Sequence, residues 1–387
     1  MQMKFATPAQ IDQAAAALQR GELVALPTET VYGLGADATN EAAIAKIFAA
    51  KGRPSNHPLI VHLASGVALE AWADEVSLAA HKLAAQFWPG PLTLILKKSA
   101  RVLSAVTGGQ ETVGLRCPAH PIAQALLGAF AKLGSGAVAA PSANRFGHVS
   151  PTTAQHVRDE FGAEVGRSIM LLEGGACGVG IESTILDLSR SHLGYPPVLL
   201  RPGAISREQI CDVLGEMPLT REEDEARLAL HHPAFDLATT GASNLAPGLT
   251  KAAPRVSGSL AAHYAPSTPL RLVAAPQLRA EVDQLLDQGK RVAVLAFSAK
   301  PKVKPSPVGV GVRNARPLLW IAAEPDAVGY AQGLYANLRT LDAAATAVIL
   351  VETPPTAAPW DAVNDRLGRA AVGAGKQKHG ASLRPTE

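Results

Sequence analysis

Seven short β-type runs recur within the first 200 residues, at 23–26, 59–63, 92–96, 112–116, 137–140, 183–188 and 198–201, with helical patterns between several of them. Strands mixed with helices in this way specify an α/β or α+β domain built on a sizeable sheet. One intervening helix is well marked. Asn40 is a good N-cap, Glu41 sits in the first turn, and Ile44, Ile47 and Phe48 fall on one face before the helix stops near Gly52-Arg53-Pro54.

The texture changes from about Leu214, first to the acidic run REEDEAR at 221–227 and then to a stretch rich in Ala, Gly, Ser and Pro as far as Pro269. This reads as a linker. Alternation then resumes: strand 269–274, helix 277–288, strand 291–297, strand 317–322, helix 325–341, strand 347–352 and a last helix from about Trp360, the pattern of a small doubly wound α/β domain. A chain of 387 residues has room for such an arrangement, and the expected divisions are 1–212, 213–268 and 269–387. No solenoid repeat is present in the sequence.

Composition narrows the partners. Lys and Arg number 36 against 33 Asp and Glu, so the net charge of +3 supports neither a polybasic tail nor a large phosphate-reading face. Any nucleic-acid role has to come from local sites. No apolar stretch reaches the roughly 18 to 20 residues of a membrane span, and the chain reads as soluble, with no membrane partner. Cys117, Cys177 and Cys211 cannot all pair and show no metal-binding spacing, which argues for a reducing compartment without structural zinc. The start lacks a basic region followed by an apolar one, so a cytoplasmic rather than exported protein is expected.

The most informative stretch is 23–65. A strand ends at Pro27, and Thr28, Glu29 and Thr30 follow at its C-terminal edge, where α/β sheets usually place ligands. Gly33 and Gly35 would let the backbone approach whatever binds there. The fragment from Gly33 to Ala38 satisfies G-x-G-x-x-A in form, but six residues separate it from the strand, and no G-x-x-x-x-G-K-[ST] loop exists. Lys51 and Arg53 leave the helix together, as two cations suited to a triphosphate or carboxylate, or as simple C-terminal capping. His62 in isolation is more often a satisfied, half-buried histidine than a ligand contact.

Two later segments add to these. Residues 137–152 run from an apolar strand into Pro141-Ser142-Ala143-Asn144 and then Ser150-Pro151-Thr152; residues 173–188 place four glycines before Glu182-Ser183-Thr184. Glycine-rich backbone can form an anion-binding nest or a flexible turn. Arg116 and Arg201 close strands and add two more cations.

In order, P-T-E-T-V-Y-G-L-G, K-x-R-P with H-P-L-I-V-H, T-V-G-L-R, A-P-S-A-N with S-P-T, G-x-E-S-T and L-R-P-G resemble the threonylcarbamoyl-AMP synthase family, the YrdC-like enzymes. The match spans roughly residues 10 to 210. H-Y-A-P at 263–266, L-Y-A-N-L-R-T-L-D at 334–342, V-I-L-V-E at 348–352 and N-D-R-L at 364–367 resemble the long form of the family. The resemblance implies a YrdC-like catalytic domain with a twisted mixed β-sheet and flanking helices over 1–212, a linker acting as a lid over 213–268, and a smaller Rossmann-like α/β domain over 269–387. It implies a nucleotidyl transfer: L-threonine, bicarbonate and ATP give threonylcarbamoyl-AMP and pyrophosphate, with magnesium carried on the ATP phosphates. A separate transferase complex would pass the product to tRNA, with weak RNA contact as a further expectation.

Carried over by residue, the resemblance places Thr30, His62, Arg116, Ala140 and Ser183 around threonine and its carbamate. It places Lys51, Arg53, Thr112, Ser142, Asn144, Ser150 and Arg201 around ATP, with Lys51 and Arg53 catalytic, and it brings Tyr264 to the nucleotide from the linker. His57 joins them, although it stands where the family commonly has Asn. No protein metal ligand is implied. The segment 190–197 looks like a loop extension. Two rival readings are a double-stranded RNA or tRNA-binding module without turnover, which the balanced charge disfavours, and carbamoyl-adenylate chemistry, whose acylphosphatase and zinc-finger segments are missing here.

Overall fold

The computed structural model describes residues 5–230, 253–301 and 318–376. The chain divides into two compact units, one comprising residues up to Phe146 and Ser150–Ser259, the other Gly147–Val149 and residues from Leu260 onward. In chain order the first holds α1 (Pro8–Gln19), β1 (Leu23–Leu26), β2 (Gly33–Asp37), α2 (Glu41–Lys51), β3 (Ile60–Leu63), β4 (Ala73–Asp74), α3 (Leu78–Phe87), β5 (Leu92–Lys98), α4 (Ser104–Thr107), β6 (Thr112–Arg116), α5 (Pro121–Phe130), β7 (Ala137–Ala139), α6 (Ala154–Phe161), β8 (Ile169–Leu171), β9 (Thr184–Asp187), β10 (Val198–Arg201), α7 (Arg207–Leu214), β11 (Leu219–Thr220) and α8 (Arg221–Leu230).

Its strands form one mixed sheet in the order β11-β10-β9-β5-β6-β3-β7-β2-β1-β8, with β4 added alongside β5. Both faces are covered. Along β1 the side chains alternate between two cores: Leu23 and Ala25 join Ile44 and Ile47 of α2, whereas Val24 and Leu26 join Leu18 of α1 and Leu126, Leu127 and Phe130 of α5. A strand buried on both faces reads as continuously apolar, which is why LVAL stands out in the sequence. Helix α2 starts as expected, with Asn40 Oδ1 accepting from the Ala43 amide at 3.0 Å, and ends at Gly52, whose φ of 62° is the left-handed geometry glycine tolerates.

Two readings of the sequence change. Residues 33–37 are a strand between β1 and β7, not a loop shaped around a ligand. Gly35 serves packing: a Cβ there would lie 2.7 Å from Val138 Cγ1 and 2.9 Å from Leu26 Cδ2. The acidic run at 221–227 is part of α8, tied to the first unit by the buried side chain of Asp224, and β11 pairs in parallel with β10. Residues 253–259 also belong to the first unit, where Val256 packs with Ile95, Ile185, Tyr195, Val198 and Leu200. The intervening part of the proposed linker, 231–252, lies outside the described residues.

The second unit holds β12 (Leu270–Val273), α9 (Ala275–Asp287), β13 (Val292–Ala296), β14 (Leu318–Ala322), α10 (Ala327–Ala343), β15 (Val348–Glu352) and α11 (Asp361–Gly373). The four strands among its described residues are all parallel, in the order β12-β15-β13-β14. This is the Rossmann-like α/β layer that the sequence implied, with β15 inserted between the first two strands rather than outside them. Leu278, Val282, Leu285 and Leu286 of α9 pack on Val292 and Val294. Among the described residues, no helix is long and apolar enough to cross a membrane.

Candidate functional site

The register of the central strands assembles half of the site. β3 and β6 run in parallel with His62 opposite Arg116, and β3 pairs on its other edge with β7, so that His62 also faces Val138. Ala140 follows directly, its amide donating to Ile60 O at 3.0 Å. All three side chains are buried. Burial, reinforced by the Arg116 charge, pulls the His62 imidazole down to about 3, so it is neutral, and its Nδ1 has no hydrogen-bond partner among the described residues. The loop after β1 supplies Thr30. Thr28 Oγ1 donates to Val31 O at 2.6 Å; with that proton committed, Thr30 is the donor in the 2.9 Å contact between the two hydroxyls.

Arg116 is held by a partner outside the expected set. Its Nη2 lies 2.7 Å from Glu29 Oε1, and its Nε donates to Gly90 O at 3.3 Å. Burial pushes the Glu29 carboxyl up, but the Arg116 charge, the Arg116 bond and backbone amides more than offset it, leaving Glu29 below the usual carboxylate range.

The other half gathers cations. Arg201, at the end of β10, donates to Ser183 O through Nε at 3.0 Å and through Nη2 at 2.8 Å, to Ser183 Oγ at 3.2 Å, and to Ser257 O at 2.8 Å. Arg53 donates to Pro58 O at 2.9 Å and to Ser257 Oγ at 3.2 Å. Ser257 therefore ties both arginines to the 253–259 segment, which together with Gln110, Thr112 and Gly114 lines a small pocket against the sheet. The Ser183 hydroxyl also meets Thr93 Oγ1, on the strand next to β6, at 2.7 Å.

Lys51 is turned inward. Its ammonium donates to Ser142 O at 2.6 Å and to Asn144 O, and burial, with Arg53 nearby, draws it well below the usual lysine range. In this arrangement it clamps the loop carrying Ser142 and Asn144. Ser150 donates to buried Glu182 at 2.6 Å. His57 stacks edge-on against Phe146, over which the Arg53 guanidinium also lies. Burial and the charges of Arg53 and Arg255 lower His57, so it adds no further charge near neutral pH.

These motifs and their spatial grouping bear directly on ancestry. The Sua5–YciO–YrdC family model, described as "Telomere recombination", matches residues 16–203, and a second model, "Threonylcarbamoyl-AMP synthase, C-terminal domain", matches residues 205–372. The threonylcarbamoyl-AMP synthase of Pyrococcus abyssi (strain GE5 / Orsay) is 37% identical over 363 residues, which cover 92% of each chain. The chain belongs to the threonylcarbamoyl-AMP synthase family. A second member, from Bacillus subtilis (strain 168), is 37% identical over 367 residues, 94% of this chain and 93% of its own. The crystal structure of P. abyssi Sua5 complexed with L-threonine superposes with a TM-score of 0.72 at 36% identity, covering 95% of both chains.

Of the residues assigned through the threonylcarbamoyl-AMP synthase motifs, all but Tyr264 lie in the first unit. Tyr264, with a left-handed φ of 59°, packs inside the second unit beside His263 and Tyr335, with Arg366 over its ring. The glycine-rich segment is not an open nest, since the amides of Gly174, Gly175, Cys177 and Val179 donate to Tyr32 Oη, Glu173 Oε1, Thr152 O and Glu29 O. Sequence reasoning missed Glu29, Thr93, Glu182 and Ser257 as partners of site residues. Glu29 carried a signal in its place at the C-terminal edge of β1, and Glu182 in its place within G-x-E-S-T; Thr93 and Ser257 carried none.

Proposed function

We propose that this chain is an L-threonylcarbamoyladenylate synthase: it joins L-threonine, bicarbonate and ATP into threonylcarbamoyl-AMP, releasing water as the amine and bicarbonate form the carbamate and pyrophosphate as the carbamate attacks the α-phosphate. The observation that carries the reading is the gathering of Arg116 and neutral His62 at the ends of β6 and β3, with Thr30 on the β1–β2 loop that Glu29 ties to Arg116, and of Arg53 and Arg201 on Ser257, with Ser183 bonded to Arg201. The threonine carboxylate would take Arg116, and its hydroxyl would be read by Thr30, His62 or their neighbours. That leaves the amine-derived carbamate to face the nucleotide. Arg53, Thr112, Ser142, Ser150 and Arg201 would surround ATP, with Lys51 holding the Ser142–Asn144 loop in register.

A carbamate is a weak, labile nucleophile, so catalysis rests on holding its oxygen in line with the α-phosphate and neutralising charge on the departing pyrophosphate. The attacking oxygen forms the bond to phosphorus as the bond to the bridging oxygen breaks. Among the described residues, no group of three His, Cys, Asp or Glu side chains could hold a metal ion. Magnesium fits as part of the nucleotide substrate, bound by phosphate oxygens and water. The product would go to a separate tRNA transferase in the cytoplasm. A nearly neutral surface charge gives a non-catalytic RNA-binding role no support.

The test is pyrophosphate release in bicarbonate-depleted buffer, with each substrate added back. Release should require threonine and bicarbonate together, with serine poorer and valine nearly inert, because a site that pairs a hydroxyl rejects an analogue lacking it. Release with threonine alone would mean carboxyl adenylation, and release with neither would mean nucleotide hydrolysis; both overturn the reading.

A further inference from the structure

We infer that Glu29 is a positioning residue for threonine recognition, acting through Arg116; this deepens the proposed reaction and rests on it. Arg116 ends β6, and a guanidinium on so long a side chain samples many rotamers unless something stops it. Its Nε contact with Gly90 O is long, at 3.3 Å, whereas the bond to Glu29 is 2.7 Å and joins opposite charges.

Glu29 is itself anchored at three points. Oε1 takes Arg116, Oε2 accepts the Ala119 amide at 3.0 Å, and its backbone carbonyl accepts the Val179 amide at 2.7 Å. One residue thus fastens the loop that carries Thr30 to the end of β6 and to the glycine-rich segment leading to Ser183. Those are three of the segments expected to enclose threonine.

The pairing also decides which part of Arg116 remains for substrate. Nε and Nη2 are engaged by protein, and Nη1 has no hydrogen-bond partner among the described residues. A carboxylate arriving there meets a guanidinium already fixed in direction, so little orientation entropy is left to lose on binding. The buried Glu29 carboxylate stays charged because Arg116 and the backbone amides hold it below the usual range. Without Arg116 that charge would be stranded, and without Glu29 the guanidinium would lose its direction.

Glu29→Gln keeps the shape and removes the charge. The assay is steady-state kinetics of threonine- and bicarbonate-dependent pyrophosphate release by the full chain, with separate titrations of threonine and ATP, and calorimetric threonine binding as a readout free of turnover. The threonine KM and Kd should rise by about tenfold or more, while the ATP KM stays within about threefold of the parent; a tenfold change corresponds to about 1.4 kcal/mol. Glu29→Asp keeps the charge but is one methylene short of reaching both partners, and should fall between parent and Gln. It also carries the test if the Gln variant does not fold.

Unchanged threonine KM and Kd in both variants overturns the inference. A loss shared equally between threonine and ATP, in step with a lowered melting temperature, also overturns it by reducing Glu29 to a structural residue. Failure of the parent enzyme to need threonine and bicarbonate sinks the reaction itself, and so is distinguishable from failure of this proposal.

Discussion

Among the described residues of the first unit, the buried pairs Arg190–Asp224 and Arg116–Glu29 are spent in opposite ways. Arg190 reaches both oxygens of Asp224 through Nη2, at 3.1 and 3.0 Å, lies over the Tyr195 ring at 4.1 Å and has Asp187 at 3.5 Å, while the Tyr195 hydroxyl donates to Asp224 at 2.6 Å. Its carboxylate is saturated by groups that belong to the fold. Arg116 is held through two nitrogens only, beside a neutral histidine whose Nδ1 has no partner among the described residues. A buried charge is costly unless it is paired, so capacity left over beside a pair is a sign of ligand chemistry. The first pair fastens α8 and the 188–197 loop; the second leaves Arg116 Nη1 without a protein partner among the described residues, the position our proposal gives to the threonine carboxylate.

If that contrast holds, the largest effect belongs to the closed pair. Asp224→Ala leaves Arg190 buried without its main counter-charge and should cost about 3 to 5 kcal/mol of stability. Denaturant unfolding would measure it, and the threonine KM of the folded fraction should stay put. A stability loss under about 1 kcal/mol would remove the distinction.

A smaller effect concerns the neutral ring beside the open pair. The folded-state pKa of His62, about 3, lies below its ordinary 6.5. The unfolded chain therefore binds the extra proton first, and stability should fall as pH drops below about 6.5, by roughly 1.4 kcal/mol per unit and so by under about 3 kcal/mol across the pH 6 to 4 window. Glu29 and Arg116 face this histidine, and Glu29, depressed for its own reasons, adds loss at the acid end. His62→Asn should flatten the limb between pH 6 and 4 as followed by thermal unfolding; an unchanged profile would mean His62 is not buried neutral.

The smallest effect is Arg116→Lys. Lysine can carry the charge but cannot bond Glu29, Gly90 and a carboxylate in one plane, so the threonine KM should rise about tenfold, with a smaller stability change than in Asp224→Ala. Equal threonine use by parent and variant would place Arg116 with the structural pairs.

Much of this site was legible in order but not in contact. The motifs around Thr30, Arg116, Ser183 and Arg201 could be read because each lies beside the end of a strongly apolar strand, and that around Arg53 because it follows the Gly52 stop of α2, where period and punctuation are plain. β2 was not, because Gly33-Leu34-Gly35-Ala36 has little strand preference of its own and forms a strand through its partners β1 and β7. α8 looked like linker because four acidic residues in a row suggest solvent, and the arginine that pairs with one of them lies 34 residues away. Ser257 looked like part of a loose tether until it was seen between Arg53 and Arg201.

Local chemistry, which depends on residues a few positions apart, was set by the sequence alone: apolar runs of strand length, the Asn40 cap and Gly52 stop of α2, the two-domain alternation, and the ordered motifs that mark the family. Tertiary structure decided which groups spend their hydrogen bonds on one another. The parallel register of β3 with β6 sets His62 beside Arg116, 54 positions apart in the chain, and the return of the β1–β2 loop sets Glu29 against the same guanidinium. Such choices depend on strand order and register, which no local pattern encodes, because a buried donor is satisfied by whichever acceptor the fold brings within about 3 Å.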